Sequence, residues 1–137
     1  LYPRPSEPGG IASHKDGVWR AYHVADGLPV EKVRSYFRDS RGRRFVTTGA
    51  GVSELVGERW RSVSLPPGVQ EPWTLAETPA GIVGFGRDDG IYRLEGDAFT
   101  FDRKHVPVST VNMVLATRDG RLLVQGELDT QLVLYAW

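Results

Sequence analysis

The sequence predicts an all-β fold assembled from repeated four-stranded units, and three observations predict it. Glycines recur at a fixed spacing: Gly42, Gly81 and Gly120 stand 39 residues apart (81 − 42 and 120 − 81). Gly51 and Gly90, Gly57 and Gly96, and the aromatics Trp60 and Phe99 keep the same interval. Between these marks apolar residues alternate at period two, the signature of half-buried strands. Finally, no stretch carries a convincing 3.6-residue apolar period, so almost no helix is expected.

The elements follow in order. Gly17 to Tyr22 reads as the last strand of a preceding unit, over Trp19–Val24. Unit one then has strands at Val33–Arg38, Arg44–Thr47, Val52–Leu55 and Trp60–Ser64. Unit two has them at Trp73–Glu77, Ile82–Phe85, Ile91–Leu94 and Phe99–Asp102. Unit three has Val111–Ala116, Leu122–Val124 and Leu132–Tyr135, and stops before a fourth. In each unit a glycine closes a tight turn between the first two strands, where positive φ is cheap only without a Cβ.

Four short strands per 39-residue unit describe a β-propeller blade, about three of them here. One four-stranded sheet cannot bury both faces alone, whereas stacked sheets bury them mutually. A β-sandwich offers no reason for a strict repeat. The expected organisation is a linker or strand remnant over 1–15 and a closing strand of a preceding blade over 16–24. Blades follow over 30–64 and 69–103, with an incomplete one over 108–137.

Composition narrows the function classes. The chain has 137 residues, 40% hydrophobic and 25% charged, ordinary for a folded domain. Lys plus Arg and Asp plus Glu are both 17, so no net charge steers the chain to nucleic acid or an anionic membrane. Without cysteine there are no disulfides and no thiolate metal sites. No apolar run approaches the ~20 residues that span a bilayer. No signal peptide is visible, and a start at Leu1 implies that upstream sequence was removed or left out.

The run Asp26-Gly27-Leu28-Pro29, Val33, Asp39-x-x-Gly42, Gly51-Val52, Gly57 and Trp60 resembles the two-component regulator propeller repeat. Unit two matches at Gly81, Gly86, Gly90-Ile91-Tyr92-Arg93, Gly96 and Phe99, and unit three at Val111, Asp119-Gly120 and Leu122. The departures are Phe45-Val46-Thr47-Thr48 and Val83-Gly84-Phe85-Gly86 where the family carries a Leu-Trp-Ile-Gly-Thr segment. The Asp-Gly-Leu-Pro signature is clear only once, with Leu65-Pro66-Pro67-Gly68 a blurred copy. The resemblance implies a sensor: the periplasmic or extracellular part of a bacterial signalling protein, recognising a small molecule or oligosaccharide. Any kinase chemistry would lie elsewhere, since no phosphate-binding Gly-rich loop precedes a helix here.

Chemistry-bearing motifs are weak. His14, His23 and His105 lack metal-ligand spacing, so no metal or cofactor is expected. Asp88-Asp89-Gly90 lacks the alternation of a calcium loop and reads as a turn. The cluster Arg34, Arg38, Arg41, Arg43 and Arg44 reads as a solvated edge, with Arg34, Tyr36 and Arg38 on one strand face. Trp19, Trp60, Trp73 and Trp137 fall at positions a blade core would use. No nucleophile elbow or acid–base pair stands out, so no catalytic residue is assigned and the chain is not expected to be an enzyme. The alternatives are a propeller lyase or hydrolase acting on polysaccharide, or a purely structural module.

Propeller ligand sites form at the channel mouth built by the loop entering each first strand and the loop joining the second and third. The polar members of those loops, Glu31, Glu71, Arg87, Asp88 and His105, are therefore the expected ligand contacts. Closure sets the last expectation. About three blades fall short of the four to eight a ring needs. The rest of a longer propeller chain or a homo-oligomer is thus expected to complete it, a two-fold six-bladed ring being the simplest form.

Overall fold

The computed structural model describes residues 10–30, 32–69, 72–86, 90–103, 110–128 and 131–136. Thirteen strands occur in them: β1 (Ile11–Lys15), β2 (Val18–Tyr22), β3 (Val33–Arg38), β4 (Arg44–Thr48), β5 (Gly51–Val56), β6 (Arg59–Val63), β7 (Pro72–Thr78), β8 (Gly81–Gly86), β9 (Ile91–Glu95), β10 (Ala98–Arg103), β11 (Thr110–Ala116), β12 (Leu122–Leu128) and β13 (Gln131–Ala136). They form four antiparallel sheets with sequential neighbours: β1-β2, β3-β4-β5-β6, β7-β8-β9-β10 and β11-β12-β13. Every strand read from the sequence is present. The addition is β1, which pairs with β2 through Ile11↔Tyr22, His14↔Trp19 and Lys15↔Val18. Its sequence, Ile-Ala-Ser-His-Lys, shows no strand signal beyond one β-branched residue.

The first closing strand ends at Tyr22 rather than Val24, and the reason is local. A single 3₁₀ turn, Val24–Asp26, follows. The His23 N–H donates to Asp26 Oδ2 at 2.9 Å and the Asp26 N–H to the His23 carbonyl at 2.9 Å. Gly27 then takes a left-handed conformation (φ 95°), and Leu28 drops into the core at 2% exposure. The Asp-Gly-Leu element thus caps a turn, reverses the chain and anchors it.

Three apolar cores lie between consecutive sheets. Tyr22, Leu28, Val46, Leu55 and Trp60 form the first, between the β1-β2 hairpin and the β3–β6 sheet. Phe45, Val52, Val69, Leu75, Ile82, Tyr92 and Phe99 form the second, between the two four-stranded sheets. Ala76, Val83, Phe85, Ile91, Val111, Val114, Leu122 and Val124 form the third. Period-two alternation sends neighbours to opposite cores: Leu75 and Ala76, Ile82 and Val83, and Ile91 and Tyr92 each divide this way. Both four-stranded sheets are therefore buried on both faces. Full burial of Phe45, Phe85 or Tyr92 contributes about 1.5–3 kcal/mol each. The first strands are neighbours in the stack: β7 touches β3 and β4 on one side and β11 on the other.

Two features modify the simple repeat. Each first strand carries a register shift against its second strand, at Val33/Ser35, Pro72/Thr74 and Val111/Met113. The extra residues, Arg34, Trp73 and Asn112, are again 39 apart (73 − 34 and 112 − 73). These bulges bend and twist the strand at one position in all three sheets. Burial still alternates along β3, with Arg34, Tyr36 and Arg38 its exposed residues. Across the bulge, Val33 packs at the first core and Phe37 at the second.

The second feature is a slip hidden under the constant spacing. The β3–β4 and β11–β12 connections pair outward from Arg38↔Arg44 and Ala116↔Leu122. The β7–β8 connection is one residue tighter, pairing Glu77↔Ile82 and Thr78↔Gly81. The residue is regained between Phe85 and Ile91, which are paired across a longer loop than Thr47 and Val52. Gly42 and Gly120 consequently share a left-handed geometry (φ 83° and 85°), whereas Gly81 opens a strand at φ 125°. The Gly81 turn instead matches Thr48–Gly51: in both, the Thr hydroxyl donates to the Gly carbonyl and accepts an alanine N–H.

Candidate functional site

The expected ligand contacts Glu31, Glu71, Arg87, Asp88 and His105 lie outside the described residues. A cleft of about 680 Å³ opens at the other end of the strands. Three first-to-second-strand turns build it, Asp39–Arg43, Thr78–Gly81 and Thr117–Gly120, joined by Leu94 and Gly96 of the β9–β10 hairpin. Because these turns sit at equivalent repeat positions, stacking of the sheets brings them together.

Each turn is held by its own leading side chain. Asp39, 5% exposed, accepts the N–H groups of Arg41 (3.0 Å) and Arg43 (2.7 Å) and the Arg43 Nε (2.8 Å). Burial pushes the Asp39 carboxyl up, but the hydrogen bonds and charge of Arg43 outweigh it, and the group is held below the usual carboxylate range. At the equivalent position Thr78 caps the tighter turn, and Thr117 accepts the Arg121 N–H at 3.1 Å. Thr117 also bonds Asp119, whose carboxylate pairs with Arg121 at 2.8 Å. The Thr117 hydrogen bond, then Arg121, lowers the Asp119 carboxyl.

Contacts between turns register the sheets. Glu77 accepts the Ser40 N–H (2.8 Å) and hydroxyl (2.6 Å) across the second core. Gly120 packs so closely on Pro79 that a Cβ there would lie 2.9 Å from Pro79 Cγ. Arg41 and Arg118 also line the cleft, both exposed, and among the described residues neither guanidinium makes a hydrogen bond or ion pair.

A second, mostly apolar groove of about 430 Å³ runs beside β1, lined by Ile11, Tyr22, Tyr36, Leu55 and Trp60 among others. Trp60 is the buried aromatic of its fourth strand, as expected, and meets Tyr22 edge-on at 5.9 Å. Trp19 departs from expectation. It is 65% exposed and lies against His14 on the hairpin face turned away from the first core. The buried partner of Trp60 is Tyr22, three residues further on. Trp137 and the side chain of Trp73 fall outside the described residues. Among the described residues, no group of three His, Cys, Asp or Glu side chains is placed to share a metal ion.

Sequence reasoning had Arg41 and Arg43 in a basic cluster but assigned it to a solvated edge. The glycine-marked turns at Gly42, Gly81 and Gly120 were the legible part; the convergence of three turns was not. No protein-family model matches the chain, and no curated protein matches it.

Proposed function

We propose that the chain is a ligand-sensing or interaction segment of a β-propeller, in the extracytoplasmic part of a bacterial signalling protein. One observation carries the architecture: consecutive four-stranded sheets stack at a 39-residue period with first strands adjacent and an apolar core in every gap. The sequence resemblance to the two-component regulator propeller repeat supports the sensor role.

The cleft favours binding over acid–base catalysis. A general acid needs a carboxyl raised toward neutrality. Asp39 and Asp119 are both held low and engaged in turn hydrogen bonds.

Further sheets, from a longer chain or from other copies, would complete the ring. Met113 and Leu115, 56% and 57% exposed, present an apolar face to such a neighbour.

A thermal-shift screen against small molecules and oligosaccharides tests the sensor reading. A ligand that raises the melting temperature is the expected result, and a set with no effect across both classes counts against it.

A further inference from the structure

We infer that the three-turn cleft is a receptor for an oxyanion, a carboxylate or phosphate carried by a small ligand. This rests on the cleft's being the ligand site of the proposed sensor. The inventory of donors and acceptors supplies the reason. Both oxygens of Asp39 accept hydrogen bonds within their own turn. Each oxygen of Glu77 accepts one from Ser40. The hydroxyl of Thr78 is used within its turn, as is that of Thr117.

The cations divide differently. Arg43 is committed to Asp39, and its guanidinium lies over the Phe45 ring at 5.6 Å. Arg121 is committed to Asp119. What the cleft retains is the guanidinium pair of Arg41 and Arg118, from the turns of the first and third repeat units, on either side of the Pro79–Ala80 turn. A guanidinium presents only donors, in a planar fork that matches carboxylate and phosphate oxygens. Among the described residues, the cleft's cations without a side-chain partner are thus these two guanidiniums, and an oxyanion would pair with both.

Placement on two sheets has a consequence. An anion bridging Arg41 and Arg118 would join turns separated by a whole sheet, so binding would stiffen the stack.

The test is titration of the isotope-labelled chain with inorganic phosphate and, separately, malonate, followed by amide NMR at low salt. Saturable shifts centred on Arg41, Gly42, Ala80, Arg118 and Gly120 are expected. Arg41→Gln and Arg118→Gln should each weaken binding about tenfold or more, equivalent to ~1.4 kcal/mol. Arg59→Gln, on an exposed strand remote from the cleft, should not. Because all three side chains are exposed, the variants should fold; an unchanged far-ultraviolet spectrum checks this.

Response to phosphate alone or malonate alone would identify which anion source fits, and either supports the site. Shifts that never saturate, shifts spread equally over Arg59 and Arg61, or undiminished binding in both cleft variants would overturn it. A saturable site elsewhere on the chain would overturn this assignment while leaving the sensor reading standing.

Discussion

The carboxylate of Glu77 holds the turn at Ser40: its two oxygens accept the Ser40 hydroxyl at 2.6 Å and the Ser40 N–H at 2.8 Å. Glu77 belongs to β7 and Ser40 to the β3–β4 turn, so this is a polar clamp between neighbouring sheets at the rim of an otherwise apolar contact. Apolar packing is non-directional. The clamp adds the register that packing lacks.

Glu77→Gln keeps the shape but replaces one acceptor oxygen with a donor facing Ser40. It should cost about 0.5–1.5 kcal/mol in urea unfolding, a neutral-bond value that already allows for the partial exposure of the site. Ser40→Ala should couple to it in a double-mutant cycle. Strictly additive effects would show that the clamp contributes nothing.

Two glycines are required by close approach. Gly84 pairs with Tyr92, and a Cβ at residue 84 would overlap the Tyr92 ring. Gly84→Ala should therefore cost roughly 1–3 kcal/mol through overpacking, with partial rescue by Tyr92→Leu. Gly120 combines φ 85° with the contact to Pro79, whereas Gly81, at φ 125°, has open space around its Cβ position. Gly120→Ala should thus lower the melting temperature more than Gly81→Ala, and the reverse order would contradict the packing of the turns.

Acid should act through Asp39. Its folded-state pKa lies below the ordinary value, so the stabilisation is present above the unfolded pKa of about 3.9 and is lost as pH falls through the folded value. Asp39→Asn should be less stable than wild type near pH 7 by roughly 1.5–3 kcal/mol, the range for charged hydrogen bonds. The gap should narrow below about pH 4, where the wild-type carboxyl protonates. A gap that stays constant from pH 7 to pH 2 would remove Asp39 from the acid response.

Strand positions were legible because they depend on local pattern. Val33–Arg38 alternates and ends at an Asp that can close its own turn; Ile91–Leu94 follows a glycine and pairs back on β8. β1 was not legible, since Ile11–Lys15 is a strand through pairing with β2 and not through propensity. Trp19 and Trp60 look alike in sequence, each following a glycine at a strand start. Their exposures, 65% and 4%, differ because a neighbouring sheet covers only one of them.

By itself, the sequence determined the 39-residue period, the all-β class, the order of strands within each sheet and the glycines that mark the turns. Each of these follows from residue type and spacing along one chain. The tertiary structure decided the bulges at Arg34, Trp73 and Asn112, the one-residue slip under Gly81, and the meeting of Arg41 with Arg118 in one cleft. Those depend on which sheet stacks on which, where apolar faces must match across a gap. A one-residue change of turn length, neutral for the period, moves every side chain of a strand to the other face.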